Sequence, residues 1–195
     1  MRRLVLISLK AAGEEILFTY GAHSNDKLLV HYGFVNASTK RHASPDDEIR
    51  LDHIILPHLS GATKSQLQDL GFLGAYALLP AEYHTPDNGC GIDCVQPWDI
   101  CFKTQVAIRA AILTCNEWEY FVTNGEDLSG DKSAMVRQWL LPHLQKYHGD
   151  LTAKVDVDEY LQDFTLAAYP VGIGLLKTRW EQIRDAVGNY IQHGK

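Results

Sequence analysis

The sequence predicts an α+β protein that is mainly α-helical, with a short β segment followed by a helical bundle. Two observations support this class: two strand-like runs at residues 4–9 and 15–20, and apolar residues that recur mostly at helical spacing from residue 47 onward. The 195 residues are 46% hydrophobic and 22% charged. A chain of this composition can bury the core of an ordinary globular protein.

The two strand-like runs flank a turn at residues 10–13 and together predict a β-ribbon. Because side chains alternate along a strand, Ile16, Phe18 and Tyr20 share one face of the second run. Tyr20 is therefore expected at the end of a half-buried strand.

A short helix is predicted directly after Tyr20, in the stretch that begins GAHSN. Either Ser24 or Asn25 is expected to accept a backbone N–H bond at the helix start, which is worth about 1 kcal/mol. Gly33 can adopt the left-handed conformation that closes a helix. The apolar side of this helix is supplied by Leu28, Leu29 and Tyr32.

Residues 36–46, NASTKRHASPD, are polar and rich in turn-forming residues. Such a stretch is typical of the linkers that separate domains. We therefore predict a domain boundary there, with residues 1–36 on one side and residues 47–195 on the other.

Beyond the boundary, the predicted helices cover most of the chain. Pro57 is expected to shorten or kink the first of them, and Gly71 to stop the second before an extended run, FLGAYALLP. A long loop is expected at residues 81–99. The helices are predicted at residues 47–59, 63–70, 100–121, 132–147, 156–169 and 175–193.

Charge and hydropathy restrict the class of partner. The formal net charge of -6 and the pI of about 5.8 argue against nucleic acid, whose phosphates require clustered lysine and arginine. A basic protein substrate suits this surface better.

No apolar run reaches the roughly 18 residues of a membrane helix, and the opening MRRLVLISLK is too short in its apolar part for a signal peptide. We expect an intracellular protein, cytoplasmic or nuclear, without a membrane partner.

The four cysteines do not predict a metal site. Cys90, Cys94, Cys101 and Cys115 lack the two close pairs of a structural zinc site, and no histidine pair completes them at ligand spacing. Reduced, unligated thiols are therefore expected.

The segment at residues 13–35, GEEILFTYGAHSNDKLLVHYGFV, carries an acidic GEE turn, a strand ending in tyrosine, Ser-Asn, a leucine-rich turn and a Gly-Phe pair. In these features it resembles the terminal block of SET domains in protein-lysine methyltransferases of the Rubisco large-subunit methyltransferase type. The later helices resemble, more loosely, the substrate-binding domain of that family. The resemblance implies that residues 1–36 are the C-terminal part of a truncated SET domain and residues 47–195 a helical substrate-binding domain.

The resemblance also implies site residues and a cofactor. Tyr20 matches the catalytic tyrosine of the family, which orients the lysine amine in line with the methyl group of S-adenosyl-L-methionine. Tyr32 and Phe34 are implied as cofactor contacts or aromatic walls that exclude water. The alternatives are that Tyr20 only packs at a strand end and that Tyr32 and Phe34 are plain core residues.

The sequence departs from the family pattern upstream of Gly13, where neither the glycine-rich cofactor segment nor the Asn-His motif is found. Two hypotheses follow. The first is a SET-domain protein-lysine N-methyltransferase in a truncated form, expected to be inactive by itself, whose substrate is a protein with a target lysine. The second is a non-catalytic protein-binding module built on the helical domain.

Overall fold

The computed structural model describes residues 21–36, 44–81, 98–161 and 170–193. In these ranges the chain is mainly helical and carries a three-stranded antiparallel sheet, so the predicted α+β, mainly α-helical class is confirmed. The predicted ribbon lies outside the described residues. The elements are α1 (Asn25–Tyr32), β1 (Ile49–Arg50), α2 (Asp52–Ile55), a 3₁₀ helix (Leu56–His58), α3 (Gly61–Asp69), β2 (Ala77–Pro80), β3 (Trp98–Ile100), α4 (Phe102–Ile112), α5 (Cys115–Asn124), α6 (Ser133–Leu161) and α7 (Pro170–His193).

Helix α1 follows the prediction at its end and departs from it at its start. Gly33 adopts the left-handed conformation with φ of 73°, and its N–H donates to the carbonyl oxygen of Leu29 at 3.1 Å, as expected for a closing glycine. Ser24 occupies the N-cap position, but its side chain accepts no capping hydrogen bond. The predicted cap is therefore wrong for Ser24, and Asn25 is the first residue of the helix.

The predicted helix at residues 47–59 is wrong in its first part. β1 pairs with β2 in the register Ile49 to Leu78, and the N–H of Leu51 donates to the carbonyl oxygen of Tyr76 at 2.8 Å. The hydrogen bonds of this strand pairing override the helical preference that the spacing of apolar residues suggests, as tertiary contacts often do. Helical structure begins only at α2, and Pro57 lies in the 3₁₀ turn that ends it.

The next segment agrees with the prediction. α3 ends before Gly71, whose φ of 76° is the left-handed conformation that a glycine adopts without steric cost. The expected extended run becomes β2, the central strand, which pairs with β1 on one side and β3 on the other. Leu78 stands opposite Ile100 across the second pairing.

The predicted helix at residues 100–121 is two helices, α4 and α5, separated at Leu113 and Thr114. The hydroxyl of Thr114 accepts the N–H of Glu117 at 3.5 Å, and the Glu117 carboxylate accepts the N–H of Thr114 at 3.1 Å. This reciprocal capping box satisfies the backbone N–H groups of Thr114 and Glu117, which lack a partner within the helix because a new helix starts here. It therefore begins a new helix inside an apolar stretch.

The last two predicted boundaries also differ from the structure. α6 runs without a break through residue 156, where a new helix was predicted, because Leu144, Leu151 and Val155 continue its buried face. α7 begins at Pro170 rather than at residue 175, and proline is well suited to a first helical turn.

The core lies between the sheet and helices α4, α6 and α7. Burying each large aliphatic side chain contributes roughly 1.5–3 kcal/mol, so this cluster dominates the stability of the described part. No helix among the described residues combines the length and apolar character needed to cross a membrane. The fully buried members of the cluster include Ile49, Leu51, Ile55, Leu67, Leu78, Ile108, Leu140, Leu144, Val187 and Tyr190.

Candidate functional site

The predicted catalytic residue, Tyr20, lies outside the described residues. The described part of the site begins with Gly21, whose φ is 97°. This backbone conformation is accessible to glycine and strained for other residues. Gly21 therefore allows the chain to turn between Tyr20 and the start of α1.

The two other predicted site residues, Tyr32 and Phe34, lie next to each other. Their ring centroids are 6.4 Å apart at an interplanar angle of 50°, and His23 stacks nearly parallel to Tyr32 with centroids 6.3 Å apart. We call His23, Tyr32 and Phe34 the aromatic cluster. Tyr32 is 45% exposed and Phe34 half-buried, so the cluster lies at the surface of the described part rather than in the main core. Aromatic rings at a surface can contact a planar base or a cation.

A polar network that is buried at Asn25, Asp47 and Arg179 holds α1 against α7. We call this network, formed by Asn25, Asp26, Asp47, Arg179 and Gln182, the α1 clamp. The Arg179 guanidinium donates from Nη1 to Oδ2 of Asp47 and from Nε to Oδ1 of Asp26, each at 2.8 Å. It also donates to the carbonyl oxygen of Glu48 at 3.2 Å.

Asn25 forms the other half of the clamp. Its backbone N–H donates to Oδ1 of Asp47 at 2.9 Å, and its side-chain amide donates to Oε1 of Gln182 at 3.0 Å. Its side-chain oxygen accepts the N–H of Asn36 at 2.9 Å, and Gln182 donates to the Asn36 carbonyl oxygen at the same distance. The side chain of Asn25 therefore ties together both ends of the α1 segment, instead of capping α1.

The charges of the clamp favour a permanently ionised guanidinium. Burial of Arg179 opposes its charge, but the hydrogen bonds and negative charges of Asp26 and Asp47 outweigh burial and raise the pKa of Arg179. The clamp joins residues on both sides of the predicted domain boundary at residues 36–46. The position of α1 relative to α7 is thus fixed by the Arg179–Asp26 ion pair and by the hydrogen bonds of Asn25 to Asp47 and Gln182.

A second buried ion pair lines an open pocket between α4, α5 and the turn that follows α5. The Arg109 guanidinium donates from Nε to Oδ1 of Asp127 and from Nη2 to Oδ2, each at 3.0 Å. Burial opposes ionisation of Asp127, but these bonds and that from the N–H of Lys132 prevail and lower its pKa. The pocket has a volume of about 420 Å³.

The sequence contains signals for both arginines that the analysis above did not use. Arg109 stands in the otherwise apolar run VAIRAAI, and Arg179 precedes Ile183 and Val187 by four and eight residues, on the same face of α7. A charged residue at a core position of a helix indicates a buried partner. No local sequence pattern identifies the partners Asp47 and Asp127. Asp47 is distant from Arg179 along the chain, and Asp127 lies in a turn.

Among the described residues, no group of three or more histidine, cysteine or carboxylate side chains could hold a metal ion. Cys101 is half-buried and Cys115 exposed, and both are free thiols. Cys90 and Cys94 lie outside the described residues.

No protein-family model, curated protein or solved structure matches this chain.

Proposed function

We propose that the chain is part of an S-adenosyl-L-methionine-dependent protein-lysine methyltransferase of the SET type, with Tyr20 as its catalytic residue and a lysine-bearing protein as substrate. The observation that supports this proposal best is the aromatic cluster, whose members lie 3 to 14 residues after Tyr20 in the sequence, beside the α1 clamp. The sequence features GEEILFTYG and YGFV, which resemble the family's terminal block, enclose this region.

The roles of the residues follow from the chemistry of methyl transfer. S-adenosyl-L-methionine, when bound, supplies a methyl group on a sulfonium for in-line transfer to an amine. In the proposal, the Tyr20 hydroxyl orients the neutral lysine amine by a hydrogen bond. The partly exposed rings of Tyr32 and Phe34 are suited to contact with an adenine ring or a sulfonium cation, because aromatic rings bind both.

The α1 clamp gives Arg179 a positioning role in this proposal. A site that depends on alignment loses much of its rate when a group moves by about 1 Å. Arg179 contacts Asp26 within α1, and Asp26 lies six residues before Tyr32. Arg179 therefore acts on the aromatic cluster only through the position of α1.

The proposal is tested by isothermal titration of S-adenosyl-L-methionine into the folded chain and two variants, Tyr32→Leu and Phe34→Leu. We expect stoichiometric binding by the parent chain and binding weakened about fivefold or more by each variant, since an aromatic contact is worth roughly 1 kcal/mol. Tyr120→Leu is the matched control, because Tyr120 is a similarly exposed tyrosine on α5.

The titration has outcomes that contradict the proposal. Absence of binding by a chain whose circular dichroism and near-ultraviolet spectra are those of a folded protein would contradict the cofactor site. Binding that the Tyr32 and Phe34 variants leave unchanged would contradict the role of the aromatic cluster.

One observation favours the alternative, a non-catalytic protein-binding module. The pocket at the Arg109–Asp127 pair lies on the helical part, and its lining includes neither Tyr32 nor Phe34. A folded chain that binds a basic peptide at this pocket but no S-adenosyl-L-methionine would support the module and contradict the methyltransferase.

A further inference from the structure

The pocket beside the Arg109–Asp127 pair has walls of opposite chemical character. Phe102 and Phe121 contribute aromatic surface, whereas Glu126, Asp127 and Asp131 contribute carboxylates. We propose that this pocket, the α4–α5 pocket, binds the cationic side chain of a lysine or arginine on a partner protein. The choice of a protein partner rests on the proposed function, but the preference for a cation follows from the pocket itself.

The charge of the lining is the first argument. Three carboxylates stand against one guanidinium, that of Arg109, which leaves a net charge of -2. Ser133 donates two hydrogen bonds to Asp131, from its N–H and its hydroxyl, and these bonds lower the pKa of Asp131. The Asp131 carboxylate is therefore ionised at neutral pH and attracts a cation.

The basic groups near the pocket have their own partners. Arg109 pairs with Asp127 through two parallel hydrogen bonds and lies over the Phe121 ring, with its guanidinium carbon 5.3 Å from the ring centroid. Lys132 directs its Nζ to Glu117 at 3.2 Å. These contacts satisfy the guanidinium and the ammonium, so the pocket does not offer an anion an open cationic partner.

The aromatic wall is the second argument. Phe102 is 61% exposed in the first turn of α4, although its ring is supported edge-on by Phe72 with centroids 6.0 Å apart. Phe102 lines the same pocket as the three carboxylates, so an exposed phenyl ring and negative charge are available to one bound side chain. The ring can cover the alkyl stem of a lysine or arginine and attract the cationic end through its face.

The size of the pocket fits one long side chain. Its volume of about 420 Å³ is many times the roughly 30 Å³ that one water molecule occupies in the liquid. It is open on one side, so a side chain presented by another protein enters without rearrangement of the helices. The exposed carboxylates of Glu126 and Asp131 then attract the cation into the pocket that Phe102 also lines.

The test uses nuclear magnetic resonance titration of the whole isotopically labelled chain with Nα-acetyl-lysine methylamide, whose side-chain ammonium group is free, and with its arginine counterpart. We expect saturable shifts at Phe102, Gln105 and residues 125–131 that weaken as salt is raised. The matched uncharged probe is N-acetyl-norleucine methylamide, which has the same alkyl stem as lysine but no ammonium group.

Variants distinguish the contribution of the carboxylates to binding from that of the Phe102 ring. We expect the double variant Glu126→Gln and Asp131→Asn to weaken lysine binding about fivefold, and Phe102→Ala to weaken it by a similar factor. Asparagine at residue 131 can still accept the hydrogen bonds of Ser133, so folding is preserved. Glu119→Gln is the control, because Glu119 is an exposed carboxylate of α5 outside the lining.

Each outcome decides the proposal independently of the cofactor site. Equal shifts with norleucine, or lysine binding that the double variant leaves unchanged, would overturn the cationic pocket, whatever the chain does with S-adenosyl-L-methionine. Lysine-specific shifts in a chain that binds no S-adenosyl-L-methionine would support the pocket while contradicting the methyltransferase.

Discussion

Arg179 and Asp47 are 132 residues apart in sequence, yet the guanidinium Nη1 of one lies 2.8 Å from a carboxylate oxygen of the other. Both side chains are only 2% exposed. A charge removed from water to this extent is tolerated because its partner is equally buried and the remaining donors and acceptors are satisfied. Asp47 also accepts the N–H of Asn25, the first residue of α1, so this ion pair helps to hold α1, which carries Tyr32, against α7.

Removing the carboxylate should destabilise the fold strongly. We expect Asp47→Ala to lower the free energy of unfolding by about 3 kcal/mol, since it leaves a buried guanidinium with only part of its partners. Chemical denaturation of the variant and the parent chain measures this difference.

The control for that experiment is Arg50→Ala, which breaks the exposed pair with Asp52. Surface pairs contribute at most about 1 kcal/mol, so this variant should be close to the parent chain. Equal losses for the buried and the exposed pair would contradict the central role of the α1 clamp.

Two N-cap residues that look alike in sequence should differ in their effect on stability. Thr114 forms a capping box, whereas the Ser24 side chain caps nothing. We expect Thr114→Ala to cost about 1 kcal/mol and Ser24→Ala much less, in thermal or chemical unfolding. A larger loss for Ser24→Ala would show that the capping geometry has been assigned to the wrong residue.

Two glycine-to-alanine changes should have opposite signs. Gly125 ends α5 with φ of 75°, so Gly125→Ala forces a strained conformation and should cost about 1 kcal/mol. Gly149 lies within α6, and an added methyl group would meet nothing within 4 Å. Gly149→Ala should therefore stabilise the protein by about 0.5–1 kcal/mol. Denaturation midpoints that move in the same direction would contradict this contrast.

Stability should fall as the pH decreases through the range in which histidine titrates. Burial, and then the charge of the neighbouring His58, lower the pKa of His143 below its ordinary value of 6.5, and burial lowers that of His53 in the same way. Below pH 6.5 the unfolded chain takes up protons that the folded chain does not, which favours unfolding. Above pH 6.5 these two histidines are neutral in both the folded and the unfolded chain, so they no longer reduce the stability.

Melting temperatures at pH 7.5 and 5.5 measure this effect. We expect the fall to be smaller for His143→Gln than for the parent chain, because one depressed histidine is removed. His31→Gln, a change at an exposed residue of α1, serves as the control. A fall of the same size in all three proteins would assign the pH dependence to other groups.

Local patterns in the sequence predicted the parts of the fold that depend on local physics. The left-handed glycine at residue 33, the helix stop at Gly71 and the extended run that became β2 were all predicted. Each depends on the conformational freedom of one residue or on the spacing of a few neighbours. The capping box at Thr114 was also present in the sequence as TCNE, but the apolar stretch around it predicted a continuous helix.

The candidate site was predicted only in its aromatic residues. Tyr32 and Phe34 were named from the sequence, and the structure brings their rings together. The site roles of Tyr20, Tyr32 and Phe34 stay predictions, as do the cofactor and the substrate. Arg179, Asp47 and the α4–α5 pocket were not predicted, because contacts between residues so far apart leave no spacing pattern that a single sequence can display.

The sequence by itself determined the mainly helical class and the helix ends at Gly33 and Gly71, since these follow from local propensity and from short motifs. Only the tertiary structure decided that residues 49–50 form a strand, that α1 is bound to α7, and that carboxylates and phenyl rings share one pocket. The physical reason is that strand pairing and buried ion pairs gain their free energy from partners that are distant in sequence, and only the folded chain selects those partners.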